Sequence, residues 1–101
     1  MSGGRLSSID GGGLRLEGEL GFATARSLWQ EAAEHLPAAG TVRIDLAGVT
    51  RADSAGVALL IHWTRMQRDH GGGVEFVNIP AQMRSIARVS GVDGILPLSD
   101  Q

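Results

Sequence analysis

Asp53 and Ser54 are the side chains best placed to do chemistry, because they stand where a strand-like apolar run gives way to a helical one. A hydroxyl at a helix start caps free backbone N–H groups, and the same helix end stabilises added negative charge. Ser54 is therefore predicted to cap this helix, with a partner contact as the functional alternative and a phosphate as a physically reasonable modification. Asp53 is predicted to shape the turn by accepting backbone hydrogen bonds.

The remaining reactive residue types do not assemble into a catalytic or metal-binding pattern. The three histidines, His35, His62 and His70, lack the close spacing of metal ligands, and the Gly-x-Ser-x-Gly element of hydrolases is absent. The chain has no cysteine, and all nine of its basic side chains are arginines, which removes thiol and lysine chemistry. We therefore predict a protein that is not an enzyme and binds no metal or cofactor.

Length and charge narrow the class of protein further. A chain of 101 residues is predicted to form one domain, residues 1–101. A net charge of −2 with scattered charges provides no electrostatic basis for nucleic-acid binding. No apolar run approaches the roughly 20 residues of a membrane span, and the N-terminus does not read as a signal peptide. The expected location is the cytoplasm, and membrane association would require a partner.

Hydrophobic periodicity predicts alternating strands and helices. Alternation on both sides of a glycine turn indicates a β-hairpin, and later segments show helical spacing or further alternation. The predicted order begins with a hairpin turning at Gly11–Gly13, a helix from Phe22 to Leu36 stopped by Pro37, and a central strand from Val42. A helix from Ser54 to about His70 and a strand at Val74–Val77 follow. The chain is predicted to end with a helix opened by Pro80 and a tail at Gly94–Leu98 that could form a final strand. This order predicts an α/β fold with a mixed sheet of four or five strands and helices mainly on one face.

The helix that starts at Ser54 is apolar on nearly every side over its first three turns. One core face is not expected to absorb all of these side chains, so a second face is predicted to meet another molecule. One stripe comprises Val57, Leu60, Ile61 and Thr64, and the other comprises Ala55, Ala58, Leu59, His62 and Met66. The sequence does not decide which stripe faces inward. Trp29 and Trp63 are predicted to pack in or at the edge of the core, with an interface role open for Trp63.

Four short motifs resemble the STAS domain family over about Leu6 to Leu98. They are Gly18-Glu19-Leu20, Ile44-Asp45-Leu46, Asp53-Ser54-Ala55-Gly56, and the glycine-rich turn before Val74-Glu75-Phe76-Val77. The strand-Asp-Ser-x-Gly-helix element is the most specific of them. The resemblance implies a STAS fold with a regulatory serine position at Ser54, which anti-sigma factor antagonists use as a phosphorylation site.

Within this family the chain is most similar to the MlaB branch, on the stretch from Ala58 to Trp63, the last helix and the end at Ile95–Leu98. It departs from that branch at Ser54, where threonine is common, but it keeps a hydroxyl. The resemblance implies a cytoplasmic subunit, peripheral to the inner membrane, that binds the ATPase of an ABC phospholipid transporter. The permease is a further component of the full complex. The alternative is an anti-sigma factor antagonist whose partner is a serine kinase. A third reading is a small-ligand-binding STAS module, for which the sequence indicates no enclosed polar pocket. The predicted partner-binding residues are Arg51, Asp53, Ser54, Ala55, Gly56, Leu59 and His62.

Overall fold

A computed structural model describes residues 4–9, 13–35, 40–92 and 94–97. Its elements are β1 (Arg5–Ser8), β2 (Leu14–Leu20), α1 (Ala25–His35), β3 (Thr41–Ala52), α2 (Ser54–Asp69), β4 (Gly73–Val77) and α3 (Ala81–Val89). This order confirms the predicted alternation of strands and helices. The predicted turn at residues 11–13 lies partly outside the described residues, and the predicted stop at Pro37 lies wholly outside them.

The four strands form one mixed sheet in the order β1-β2-β3-β4. β1 and β2 pair antiparallel, as expected of a short hairpin, whereas β2–β3 and β3–β4 pair parallel because a helix carries the chain back between them. The register between β2 and β3 shifts twice, so β3 contains two more residues than β2 over the paired segment. The parallel pairing places the ends of β2 and β3 side by side, with Leu20 opposite Ala52.

Within the described part of the chain, helices cover one face of the sheet and leave the other open. Along the first half of β3, Val42, Ile44 and Leu46 are buried, whereas Thr41 and Arg43 on the other face are exposed. Alternation of this kind is typical of a sheet with helices on one face and solvent on the other. The helices contact the strands and pack side by side, with α2 touching both α1 and α3, which confirms the predicted one-sided arrangement.

Helix α2 lies in the middle of the helical layer, and this position explains its unusual apolar character. Its neighbours are β3 and β4 beneath it and α1 and α3 on either side. The core therefore takes side chains from both predicted stripes, but it does not absorb every apolar side chain of the helix, because Ala55, Ala58, Ile61 and Met66 are not fully buried. Contact of the remaining face with another molecule stays a prediction. The buried residues of α2 are Gly56, Val57, Leu59, Leu60, Trp63, Thr64 and Gln67. Trp63 is a core residue and not an interface anchor.

The segment after α3 closes the free edge of β4 without forming a strand. Residues 94–97 are turn and irregular structure, but the Pro97 carbonyl accepts a hydrogen bond from the Phe76 N–H at 3.0 Å. Leu96 is buried against the core. The optional fifth strand is therefore not formed within residues 94–97, and Leu98 lies outside the described residues.

Candidate functional site at the start of helix α2

Asp53, and not Ser54, caps helix α2. The Asp53 backbone is extended, and its Oδ1 accepts hydrogen bonds from the N–H groups of Ala55 at 2.8 Å and Gly56 at 3.3 Å. Asp and Ser are both favoured helix caps and stand next to each other here, so the sequence pattern alone does not decide which of the two caps the helix. The prediction that Ser54 caps the helix is wrong, whereas the prediction that Asp53 accepts backbone hydrogen bonds is confirmed.

The Asp53 carboxylate also ties the helix start to the loop that follows β2. Its Oδ2 accepts a hydrogen bond from the Phe22 N–H at 3.1 Å, across 31 positions of sequence. A Cβ at Gly21 would lie only 2.7 Å from this oxygen, so the loop needs glycine there to approach so closely. The Phe22 hydrogen bond and then those from Ala55 and Gly56 lower the pKa of Asp53, outweighing the opposing effect of desolvation. Asp53 is therefore a charged brace between the two loops.

Ser54 is left exposed as the first residue of α2. Its hydroxyl has no hydrogen-bond partner in the parts of the chain that the structure describes, because Asp53 has taken over the capping role. A hydroxyl with this exposure is accessible to a partner protein or to a modifying enzyme. A phosphate there would meet the favourable helix end but also the neighbouring Asp53 carboxylate.

Two of the predicted partner-binding residues face the core instead. Leu59 is only 4% exposed and belongs to the hydrophobic core. Gly56 is buried, and a Cβ there would collide with the carbonyl oxygen of Leu20. Glycine at this position lets α2 approach the end of β2, and it does not open the backbone to a partner. These two predictions are corrected, because neither residue reaches the surface of the folded domain.

An exposed aromatic patch lies beside Ser54, and we define it as Phe22, Trp29, Ala55, Ala58 and His62. Phe22 is 87% exposed and Trp29 is 52% exposed. The Trp29 ring lies against that of His62, with centroids 4.0 Å apart and planes inclined by 39°. Ala58 is exposed between Ser54 and His62 at four-residue spacing, which places these three residues on one face of α2.

The patch borders an open groove of about 840 Å³ between the loop after β2, α1 and the start of α2. Phe22, Trp29 and Ala55 line it together with Ala23, Ala25, Arg26 and Gln30. Sequence reasoning missed Phe22 and assigned Trp29 to the core or its edge. The helical spacing of α1 gave Trp29 an inward position, but the helix is turned so that Leu28 fills the core and Trp29 reaches the surface.

A smaller cavity of about 380 Å³, which Phe22 also lines, lies at the ends of β2 and β3. Arg51, Asp53 and Glu19 line it, with Gln82 contributed by α3. Gln82 was not predicted as a site residue, because only the fold brings α3 to the end of β3. Its Oε1 accepts a hydrogen bond from the Ala52 N–H at 3.1 Å. Of the seven predicted residues, Arg51, Asp53, Ser54 and Ala55 thus lie at the end of β3 and the start of α2, and His62 lies two turns along α2 against Trp29.

Comparison with solved structures establishes the fold. The anti-sigma factor antagonist SpoIIAA in its unphosphorylated form matches with a TM-score of 0.70 and 17% identity, over 97% of this chain and 89% of that one. An anti-sigma factor antagonist from Mycobacterium paratuberculosis matches with a TM-score of 0.66 and 25% identity, over 97% and 85%. Part of SLC26A9 matches with a TM-score of 0.69 and 22% identity, over 84% of this chain and 17% of that one. The fold is that of a STAS domain.

The family follows from the sequence. A family model described as "Mlab, STAS domain" matches residues 7–97. The chain therefore belongs to the MlaB-type family of STAS domains. The search of curated proteins found no match. Within the described ranges, none of the helices combines the length and the hydropathy needed to cross a membrane.

Proposed function

We propose that this domain is a non-enzymatic accessory subunit that binds the ATPase of an ABC phospholipid transporter and supports its assembly and activity. In this proposal the transporter maintains outer-membrane lipid asymmetry, and the domain stays in the cytoplasm, held at the inner membrane through the ATPase and its permease. The family match over residues 7–97 supports the choice of partner. The observation that carries the proposal is the aromatic patch beside an exposed Ser54, whose hydroxyl has no hydrogen-bond partner among the described residues.

The aromatic patch has the composition of a protein-binding surface. Aromatic side chains are enriched in protein interfaces, and Trp dominates the residues whose truncation costs most affinity. Burying the exposed parts of Phe22 and Trp29 at about 25 cal/mol per Å² contributes on the order of 5 kcal/mol before the costs of association. The patch therefore supplies affinity, and Ser54 at its edge makes that affinity sensitive to added charge.

Ser54→Asp is the variant that tests this arrangement. An aspartate there places a second carboxylate next to Asp53 in a contact that excludes water, and the like charge and the desolvation both oppose docking. We expect Ser54→Asp to weaken binding by at least about 10-fold, or about 1.4 kcal/mol. Ser8→Asp is the matched control. Ser8 is also an exposed serine, but it pairs with Leu14 at the start of β2, whereas the site lies near Leu20 at the end of that strand.

The experiment is a tagged pull-down from native membranes and cytosol, with co-purifying proteins identified by mass spectrometry. The proposal expects an ABC ATPase and its permease with the wild-type domain and with Ser8→Asp, and their loss with Ser54→Asp. Recovery of the same ATPase at equal yield with Ser54→Asp contradicts a Ser54 contact. Absence of any ABC ATPase from the wild-type sample contradicts the proposed partner.

An anti-sigma factor antagonist is the second candidate, and the exposure of Ser54 favours it. The Ser54 hydroxyl is as open to a kinase as to a docking partner. Two of the matched structures are described as anti-sigma factor antagonists, which supports the fold but leaves the partner to experiment. Recovery of a soluble serine kinase in the same pull-down, with phosphate found on Ser54, would support this function over the transporter.

A further inference from the structure

The open face of the sheet carries two Arg–Glu pairs in equivalent cross-strand positions, and only one of them forms an ion pair. Arg43 on β3 is the register partner of Glu75 on β4, and Arg43 Nε lies 3.0 Å from Glu75 Oε1. Glu19 on β2 is likewise the register partner of Arg51 on β3. Neighbouring strands lie about 4.8 Å apart, so in each pair the arginine and the glutamate are close enough to form an ion pair. Yet Glu19 and Arg51 have no ion-pair partner among the residues that the structure describes.

Glu19 and Arg51 instead line the cavity of about 380 Å³ at the carboxyl ends of β2 and β3. Ligands of parallel α/β sheets bind in this position, outside the carboxyl ends of the strands, and the volume is that of a small-molecule site. Arg43 and Glu75 line no part of this cavity. The difference between the two Arg–Glu pairs therefore coincides with the presence of a cavity.

The polar groups that line this cavity include both hydrogen-bond donors and hydrogen-bond acceptors. Arg51 provides guanidinium donors, and the Gln82 amide provides two more, because its Oε1 is already held by the Ala52 N–H. Glu19 provides a free carboxylate, whereas the Asp53 carboxylate is engaged with three backbone N–H groups. The exposed Phe22 ring forms part of the wall, and an aromatic face attracts a cation.

We propose that this cavity binds a small zwitterion with an ammonium group and an anionic group a few bonds apart. The ammonium donates to the Glu19 carboxylate beside the Phe22 ring. The anionic group accepts from the Arg51 guanidinium and the Gln82 amide. A ligand with one charge leaves the opposite charge of the cavity unmatched, so the site discriminates against simple cations and simple anions. This inference does not rest on the proposed docking function, although Phe22 belongs to both the aromatic patch and the cavity wall.

The test is a titration of the isotope-labelled domain by two-dimensional ¹H–¹⁵N NMR. The probes are the ω-amino acids glycine, β-alanine and 4-aminobutyrate, with butylammonium and butyrate as single-charge controls at matched ionic strength. We expect at least one zwitterion to shift the amide signals of Gly21, Arg51 and Gln82 saturably, with at least about 10-fold higher affinity than either single-charge probe.

Three variants complete the test. Arg51→Gln and Glu19→Gln are each expected to weaken the zwitterion at least about 10-fold, whereas Arg43→Gln is expected to leave its affinity unchanged. Each variant's own spectrum shows whether it is folded. Absence of saturable binding by all three zwitterions overturns the proposal. Equal affinity of butylammonium or butyrate overturns it as well, and so does an unchanged affinity in Arg51→Gln.

Discussion

The inner and outer sides of helix α2 differ both in their residues and in what they contact. On the inner side, Leu59, Leu60 and Trp63 pack against the sheet and the flanking helices. On the outer side, Ala58 and His62 remain at the surface beside Trp29. The large apolar side chains therefore lie against the core, and the smaller and polar ones lie at the surface. This difference predicts that changes on the inner side cost stability and changes on the outer side cost binding.

Truncation of Leu60 is expected to have the largest effect on stability. Leu60 is completely buried, so Leu60→Ala removes its packing and leaves a cavity, which costs about 3 kcal/mol. Urea unfolding followed by circular dichroism measures the change. Arg65→Ala, at an exposed position of the same helix, is expected to stay within about 0.5 kcal/mol. Equal losses in the two variants would mean that the inner side is not the core.

Addition of one methyl group at Gly56 is expected to have the second-largest effect on stability. Gly56→Ala drives a Cβ into the Leu20 carbonyl, and we expect a loss of about 2 kcal/mol even though alanine favours the helix. Gly94→Ala is the matched control, because a Cβ there meets no atom of the described residues. The same urea titration compares them. A neutral Gly56→Ala would show that α2 does not press on the end of β2.

Loss of the Asp53 carboxylate is expected to cost less and to depend on pH. Asp53→Ala removes the cap and should lower stability by about 1 kcal/mol at pH 7. The pKa of Asp53 is lowered from 3.8 in the folded protein, so its contribution is present above that value and is lost as pH falls through the lower folded pKa.

Asp53→Asn separates the charge from the cap. Asparagine still accepts at the helix start through its one oxygen, but its amide nitrogen cannot accept from the Phe22 N–H, and the side chain no longer titrates. The stability difference between wild type and Asp53→Asn should therefore shrink as pH falls below about 3.8. Asp45, whose pKa is also lowered, is present in both proteins and cancels in the comparison. Thermal unfolding from pH 7 to pH 2.5 provides the measurement. A difference that stays constant over this range would exclude a charged brace.

Removal of the Trp29 ring is expected to have the smallest effect on stability and a clear effect on binding. The half-exposed ring contributes little to the core, so Trp29→Ala should change stability by about 0.5 kcal/mol. Its affinity for the ABC ATPase should fall at least about 10-fold in a pull-down titration. Val89→Ala, an exposed apolar residue on α3 outside the aromatic patch, should bind like wild type. Equal binding by all three proteins would remove the patch from the interface.

The sequence predicted the elements and the mixed sheet correctly because periodicity and turn residues are local signals. It could not orient α2, because a helix flanked on three sides takes side chains from more than one stripe into the core. It also named the wrong cap, since the choice between Asp53 and Ser54 depends on the Phe22 N–H, 31 residues away. Phe22 and Gln82 join the site only through the parallel pairing of β2 with β3 and the packing of α3.

The hydrogen bond from the Phe76 N–H to the Pro97 carbonyl also bears on self-association. β4 is an edge strand with an apolar sequence, and an open edge of this kind is a template for pairing with other chains. The returning segment occupies this edge with a proline, which has no N–H of its own to extend the ladder. At the opposite edge β1 is only four residues long and carries an exposed arginine. Both edges of the sheet are thus poor templates for aggregation.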